Sequence, residues 1–415
     1  MGKLDGFRVI DMSRVLAGPL VGQMLADLGA EVIKIEHPEA GDESRQYGPP
    51  FFGNEAQGKT AFFLAANRNK RSVAIDFSKP EGAAILRDLI AQSDVVIENF
   101  RVGTLKRYGL DHESLRANHP SLIYCSLTGF GQSGPYAHRP GYDAIFQAMG
   151  GLMSSIGYPD DHVAAGPLRT GLSITDVITS LYASLAIVAA IAARHSNGGQ
   201  GDYIDVALLD CTVATMSHYA MNYLISGQVP ARKGNSGNGG VPSQVFRCRD
   251  GAIMLTVGND GQFERFCRAL GHPEWATDER FAKGVSRIRH RDILVPMLEA
   301  HFAQQEASPC LQALIDADIP AGAINDMAQV FQDPQVQARQ LRTRVQDPVA
   351  GEFDVLTNPI RYSNEPVADY RCPPLLGEHT QQTLSEWLGL NPEQLDHLER
   401  DRTIGRSNIH SPSNP

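Results

Sequence analysis

The chain has 415 residues, of which 42% are hydrophobic and 20% charged, and a formal net charge of −10. The length exceeds one ordinary domain, and the composition is that of a globular protein rather than a disordered or fibrous one. The acidic balance argues against nucleic-acid binding, so an anionic ligand would need basic residues gathered locally. In chain order, "FRVIDM" (7–12) predicts a buried strand and "SRVLAGP" a loop. Pro19 suits the first turn of the following helix, "LVGQMLADL". Gly29 ends that helix and "EVIKIE" (31–36) is the next strand, which makes a βαβ unit with a parallel pair. The alternation continues with a strand at 72–76, a helix from Pro80 to Ser93 and a strand at 94–99. A short helix near Leu105 and a strand at 122–127 follow. This pattern predicts an α/β fold with an open, Rossmann-like parallel sheet.

The next long element is "GPLRTGLSITDVITSLYASLAIVAAIAARH" (166–195). It carries one acid, Asp176, at its head and no charge from Val177 to Ala193. Apolar residues surround this helix, which predicts burial in a large core or a subunit contact. It is too rich in Ala, Ser and Thr to read as a membrane span. Near a helix start, the dipole and unpaired N–H groups favour an ionised carboxylate. Taken alone, Asp176 reads as a helix cap, with a reactive group as the alternative.

A strand at 202–208 follows, and then the character changes. "GNSGNGGVPSQ" (234–244) is glycine-rich, 252–259 is a strand, and helices lie in 261–270 and 289–305. The expected organisation is a large domain beginning at 1–224 and a small α+β domain at 225–325. Residues 326–402 return to the large domain, and the apolar-poor tail 403–415 is expected to be disordered.

Several chemistries lack their motifs. "GFGQSG" (129–134) follows a strand but runs into Pro135 and Pro140, so no helix start meets the glycines as a dinucleotide fingerprint requires. There is no GxxxxGK[ST], GxSxG or HExxH, and the 13 histidines are dispersed, so no metal site is expected. Six cysteines stand singly, which fits free thiols in a reducing compartment. "MGKLDGFRVIDM" has no apolar signal core, so a cytoplasmic protein with no membrane partner is expected.

Segments spread over most of the chain resemble one family. They are "VLAGP…LADLGAEVIKIE", "NRNKRSVAID", "DVVIENFRVG", "GFGQSGPYAHRPGYDAIFQAMGG", the Asp176 segment, "GQGDYIDVALLD" and "PLLGEHT". Together they resemble the class III coenzyme A transferases, a superfamily shared with formyl-CoA transferase, carnitine CoA-transferase and α-methylacyl-CoA racemase. The resemblance implies a large Rossmann-like domain and a smaller domain, with two subunits interlocked as a homodimer. It implies exchange of CoA between a thioester and a free acid, with the thioester as substrate and no permanently bound cofactor. Asp176 falls at the position of the family's nucleophile, which forms an aspartyl mixed anhydride and then an aspartyl–CoA thioester.

By the same resemblance, Leu16 and Ala17 lie along the pantetheine path. His37 stands where the formyl-CoA enzyme has a basic contact to CoA. Ile75, Asp76, Ser78, Asn99, Phe100 and Arg101 line the nucleotide site, and Arg107 matches a phosphate-binding position. For Arg101 and Arg107 the alternative is a solvated helix face, and Lys70 and Arg71 read equally as surface charges. Arg139 and Tyr142 fall near the thioester end. Asn238, Gly239 and Gly240 match a glycine loop that covers the reacting aspartate in the formyl-CoA enzyme, a plain loop being the alternative.

The context of residues 142–183 is most similar to the branch using succinyl-CoA and short dicarboxylic acids: itaconate, mesaconate, citramalate, malate or glutarate. A second carboxylate calls for a cation, and Arg45, Arg71 and Arg169 are candidates. Two other readings are a racemase and a non-catalytic CoA-binding protein. The racemase needs a His in a "GHD" motif, but the chain reads "GYD" (141–143), and Tyr142 is a poor replacement base. The loss of the aspartate would mark the non-catalytic case, and Asp176 is present.

Overall fold

Residues 2–53, 55, 59–237, 239–363 and 370–406 are described by a computed structural model. The chain forms two compact units, one of residues 1–152, 169–227 and 339–415, the other of residues 153–168 and 228–338. In the first unit, continuous runs of Val and Ile build six parallel strands. They are β1 (Arg8–Asp11), β2 (Glu31–Glu36), β3 (Arg71–Ile75), β4 (Val95–Glu98), β5 (Ile123–Thr128) and β6 (Tyr203–Ala207). Their order across the sheet is β3-β2-β1-β4-β5-β6. The chain winds one way from β1 to β3 and the other way from β4 to β6. The crevice at the carboxyl ends of β1 and β4 is therefore a topological switch point, where α/β sheets bind ligands.

Helices cover both faces of this sheet, so adjacent strand residues are buried on opposite sides. On one face Ile10, Ile33, Val73 and Val96 pack with Leu86, Leu89 and Ile90 of α2 (Pro80–Ala91). On the other, Val9, Val32, Val95 and Ile123 pack with Val21 and Leu25 of α1 (Ala17–Asp27). The same layer takes Ala183, Ile187 and Ile191 from α4 (Ile174–Arg194), which follows the short helix α3 (Asp143–Met149). Full burial of a side chain such as Ile187 contributes about 2 kcal/mol of transfer free energy.

The second unit has its own core around three antiparallel strands, Ser243–Arg247, Ala252–Thr256 and Ala321–Ala323. Phe246, Phe263, Phe266 and Phe302 fill it.

Two expectations need correction. Residues 153–168 and 326–338, expected in the large domain, belong to the second unit, and 225–227, expected in the small domain, belong to the first. The tail is ordered at its start: Ile404–Gly405 pairs antiparallel with β3 at Ile75 and Ala74, and Ile404 is buried. Residues 407–415 lie outside the described residues. The helix α4 is long and apolar enough to cross a membrane by length and composition, yet only one stripe of it is buried in the chain. Leu181 and Leu185 are 53% and 67% exposed, because the sheet covers a single helical face.

Candidate active site

The β1–α1 turn runs into the switch-point crevice. Asn99, just beyond β4, brackets it: the Arg14 N–H donates to Asn99 Oδ1 (2.9 Å), and Asn99 Nδ2 donates to the Arg14 carbonyl (2.8 Å). Glu98 accepts from the Phe100 N–H (2.8 Å) and so shapes the loop that carries Phe100 and Arg101. Burial, with a smaller push from the Asp205 charge, raises the Glu98 carboxyl to about 7.

On the opposite wall, α3 and α4 meet head to head. Asp143 Oδ1 accepts from the Thr175 N–H (2.9 Å) and hydroxyl (2.7 Å). Its Oδ2 accepts from Gln147 Nε2 (2.6 Å), and Gln147 in turn accepts from the Thr170 N–H (2.9 Å). Asp143 thus pins the first turn of α4. Ser173 occupies the helix cap position, and Asp176 is the third residue inside the helix. Asp176 is therefore not a cap.

No hydrogen bond reaches the Asp176 carboxylate among the described residues. Burial first, and then the negative charge of Asp143, raise its carboxyl from 3.8 to about 7. The expectation that the helix start keeps Asp176 firmly ionised is corrected: desolvation and a like charge outweigh the helix terminus here. An unpartnered, perturbed carboxylate in a cleft marks a functional site more often than a structural one.

Asp176 opens on a cavity of about 250 Å³. Leu16, Ala17, Asn99, Phe100, Arg101, Arg139 and Tyr142, all expected from the sequence, line it together with Asp176. A second cavity, of about 390 Å³, brings together His37, Ile75, Asp76, Ser78 and Phe100. Arg14, Glu43 and Phe100 line both, so the two form one path past the tip of β1. His37 accepts from the N–H groups of Glu39 and Ala40 on Nδ1 (3.2 and 3.3 Å), which directs Nε2 outward as its donor. Ser78 donates to Asp76 from its hydroxyl (2.6 Å), and this pair fixes the end of β3.

Other expected residues are absent from the lining of these two cavities. Arg107 lies exposed on the turn Leu105–Tyr108 and lines neither cavity. Gly239 and Gly240 belong to the second unit, and Asn238 is outside the described residues. A Cβ at Gly240 would come within 2.8 Å of the Val257 carbonyl, so only glycine fits there without a shift. Arg45 is buried with both Glu36 oxygens (2.7 and 2.8 Å), Arg71 is paired with Glu386 (2.7 Å), and Lys70 is buried on Asp11 (2.8 Å). These pairings correct the readings of Arg45 and Arg71 as carboxylate receptors and of Lys70 as a surface charge. Arg169 is exposed and lines neither cavity.

The sequence reading passed over Arg14, Asp143 and His138, which also line the Asp176 cavity. A lysine within the apolar run of "EVIKIE" was a visible signal of a buried ionic network beneath the turn.

Comparison with known proteins identifies the family. Residues 4–380 match the family model "CoA-transferase family III". The chain is 45% identical over 386 residues to the succinate–glutarate CoA-transferase of Agrobacterium fabrum, covering 92% of this chain and 95% of that protein. It is 38% identical over 408 residues to the human succinyl-CoA:glutarate CoA-transferase, covering 98% and 91%. The crystal structure of a CAIB/BAIF family protein from Brucella suis superposes with a TM-score of 0.82 at 44% identity, covering 93% of this chain and all of that one. The chain therefore belongs to CoA-transferase family III and is a CoA-transferase, acting on acyl-CoA and carboxylate substrates.

Proposed function

We propose that the enzyme moves CoA from succinyl-CoA to a short dicarboxylic acid, with glutarate the first candidate, through covalent intermediates on Asp176. The observation that carries this reading is the unpartnered Asp176 carboxylate in the cavity that also gathers Leu16, Asn99, Arg101, Arg139 and Tyr142. The choice of acids is supported by the names of relatives, which act with glutarate, D-citramalate, L-malate and mesaconate.

In this reading an Asp176 oxygen attacks the thioester carbonyl. The C–S bond breaks, and the CoA thiolate leaves behind an aspartyl–succinyl anhydride. The thiolate then attacks the Asp176 carbonyl, releasing succinate and leaving an aspartyl–CoA thioester. The acceptor carboxylate attacks that thioester and the thiolate leaves again. The thiolate next attacks the acceptor's acyl carbon, which frees Asp176. Each step exchanges one activated acyl bond for another, so the thioester energy is kept. The path past Arg14 and Phe100 accommodates the pantetheine arm, with the nucleotide toward His37 and Ile75–Ser78.

The exposed apolar side chains Leu181 and Leu185 of α4, and Leu224 and Ile225 of the helix Ser217–Ser226 at 71% and 80% exposure, support a homodimer in which a second copy covers them. Six unpaired cysteines support a cytoplasmic setting. The test is a panel of free acids with succinyl-CoA and acetyl-CoA as donors. Formation of glutaryl-CoA from succinyl-CoA is expected. Turnover confined to monocarboxylic or aromatic acids would overturn the assignment of substrate.

A further inference from the structure

The turn between β1 and α1 is held in a conformation that its own sequence disfavours. Val15 has φ +72°, the left-handed region, where a β-branched residue is strained. Side chains from elsewhere in the first unit take up nearly every polar backbone group of the turn. Ser13 N donates to Asp11 Oδ1 (3.0 Å), and the Ser13 carbonyl accepts from Lys34 Nζ (2.9 Å). Asn99 brackets Arg14, and Val15 N donates to Asp42 Oδ1 (3.1 Å).

Behind this turn stands a buried ionic network. Lys34 pairs with Asp42 at 2.7 Å, and neither side chain has any exposure. Lys70 pairs with Asp11 at 2.8 Å, equally buried. Glu36 accepts from the Asp42 N–H (3.0 Å) while paired with Arg45 (2.7 Å). Burial opposes ionisation of Asp42, but Lys34 and the Ser44 N–H and hydroxyl outweigh it and hold the carboxyl down to about 2. Buried ion pairs are a poor way to add stability, since apolar side chains of similar volume do as well. What this network supplies is a fixed geometry. Immediately after Val15, Leu16 stands at the cap position of α1 with no side chain capping the helix, and Leu16 and Ala17 line the Asp176 cavity.

We infer that Asp42, seated on Lys34, is a positioning residue for the acyl-CoA substrate: it clamps Val15 in the left-handed conformation and so sets Leu16 and Ala17 along the wall of the Asp176 cavity. This rests on the acyl-CoA path proposed above. On the proposed path this wall holds the pantetheine arm of the carrier, so it acts equally on ground and transition states and is read in KM.

The test is a double-mutant cycle on the full-length enzyme, measuring kcat and KM for succinyl-CoA together with the melting temperature. Asp42→Asn should raise KM about tenfold while kcat stays within about threefold. Glycine takes the left-handed conformation without strain, so in a Val15→Gly background the same change should raise KM by less than about threefold. An Asp42 that only stabilises the fold would lower the melting temperature and give the same KM factor in both backgrounds; that result overturns the inference. So does an unchanged KM in folded Asp42→Asn. If Asp42→Asn does not fold, Val15→Pro leaves the Lys34–Asp42 pair in place and forbids the turn. That variant should raise KM about tenfold or more, and a wild-type KM there overturns the inference as well. All these variants keep Asp176, so a failure here is distinct from a failure of the nucleophile assignment, which Asp176→Ala tests with the turn intact.

Discussion

Asp143 is bonded to the residue directly before Asp176, accepting from both the N–H and the hydroxyl of Thr175, and its charge helps keep the proton on Asp176. One carboxylate therefore both places the other and, after burial, does most to raise it to about 7. As the proposed nucleophile, a carboxylate balanced near neutral pH keeps a usable ionised fraction while being more basic than a solvated aspartate.

The pH profile follows. On the proposed route only ionised Asp176 attacks, so kcat/KM for succinyl-CoA should rise with pH through about 7. Asp143→Asn removes the like charge and should move this rise to lower pH. Burial, the larger cause, remains, so the shift stops short of the ordinary carboxylate range. A profile that does not move, in a variant that binds CoA normally, would separate Asp143 from the titration of Asp176.

Stability should respond with the opposite sign. The folded-state value of about 7 lies above the unfolded 3.8, so between these pH values the native state binds more protons than the unfolded state. Stability contributed by neutral Asp176 is fully present below about pH 4 and is lost as pH rises through about 7. Asp176→Asn should therefore be more stable than the parent at pH 8, by on the order of a few kcal/mol, and melt higher, with the gap closing toward pH 4. Equal melting temperatures at both pH values would mean that Asp176 is solvated in the native protein.

The receptor for a distal carboxylate is better sought at Arg139 than at the arginines suggested by the sequence. Arg139 lines the Asp176 cavity and lies over the rings of Tyr136 (4.5 Å) and Phe130 (5.6 Å). Among the described residues no carboxylate pairs with it. Arg139→Gln should raise KM for glutarate about tenfold or more, while a monocarboxylic acceptor changes by less than about threefold. An equal loss for both acceptors would assign Arg139 to CoA or to the fold instead.

The sequence made the sheet legible because β1 to β5 are near-continuous apolar runs, as strands buried on both faces must be. Asp176 was legible because it is the single acid at the head of an uncharged helix. Its environment was not, since Asp143 lies 33 positions away and comes beside Asp176 only on folding. The network under Val15 was visible only as Lys34 inside an apolar strand; its partners Asp42 and Asp11 come from separate segments. The strand Ile404–Gly405 is too short to carry a pattern and is recognised only by its pairing with β3.

The covalent route gives the most direct test of Asp176. If Asp176 is the nucleophile, succinyl-CoA alone loads the enzyme, with no acceptor present. The thioester carbonyl is attacked, CoA leaves, and the returning thiolate places CoA on the aspartyl carbonyl while succinate departs. Both intermediates carry an activated carbonyl at Asp176, and hydroxylamine attacks such carbonyls to give a stable hydroxamate. A carboxylate that merely stood in the first turn of a helix would not react. Peptide mass spectrometry after incubation with succinyl-CoA and hydroxylamine should locate a hydroxamate on the peptide containing Asp176, and omission of succinyl-CoA should abolish it. Asp176→Ala should give neither adduct nor turnover, yet should still bind CoA, because the path past Arg14, Phe100 and Ile75–Ser78 is unchanged. An unmodified Asp176 peptide from enzyme that is turning over in the same tube would mean direct transfer or a different nucleophile.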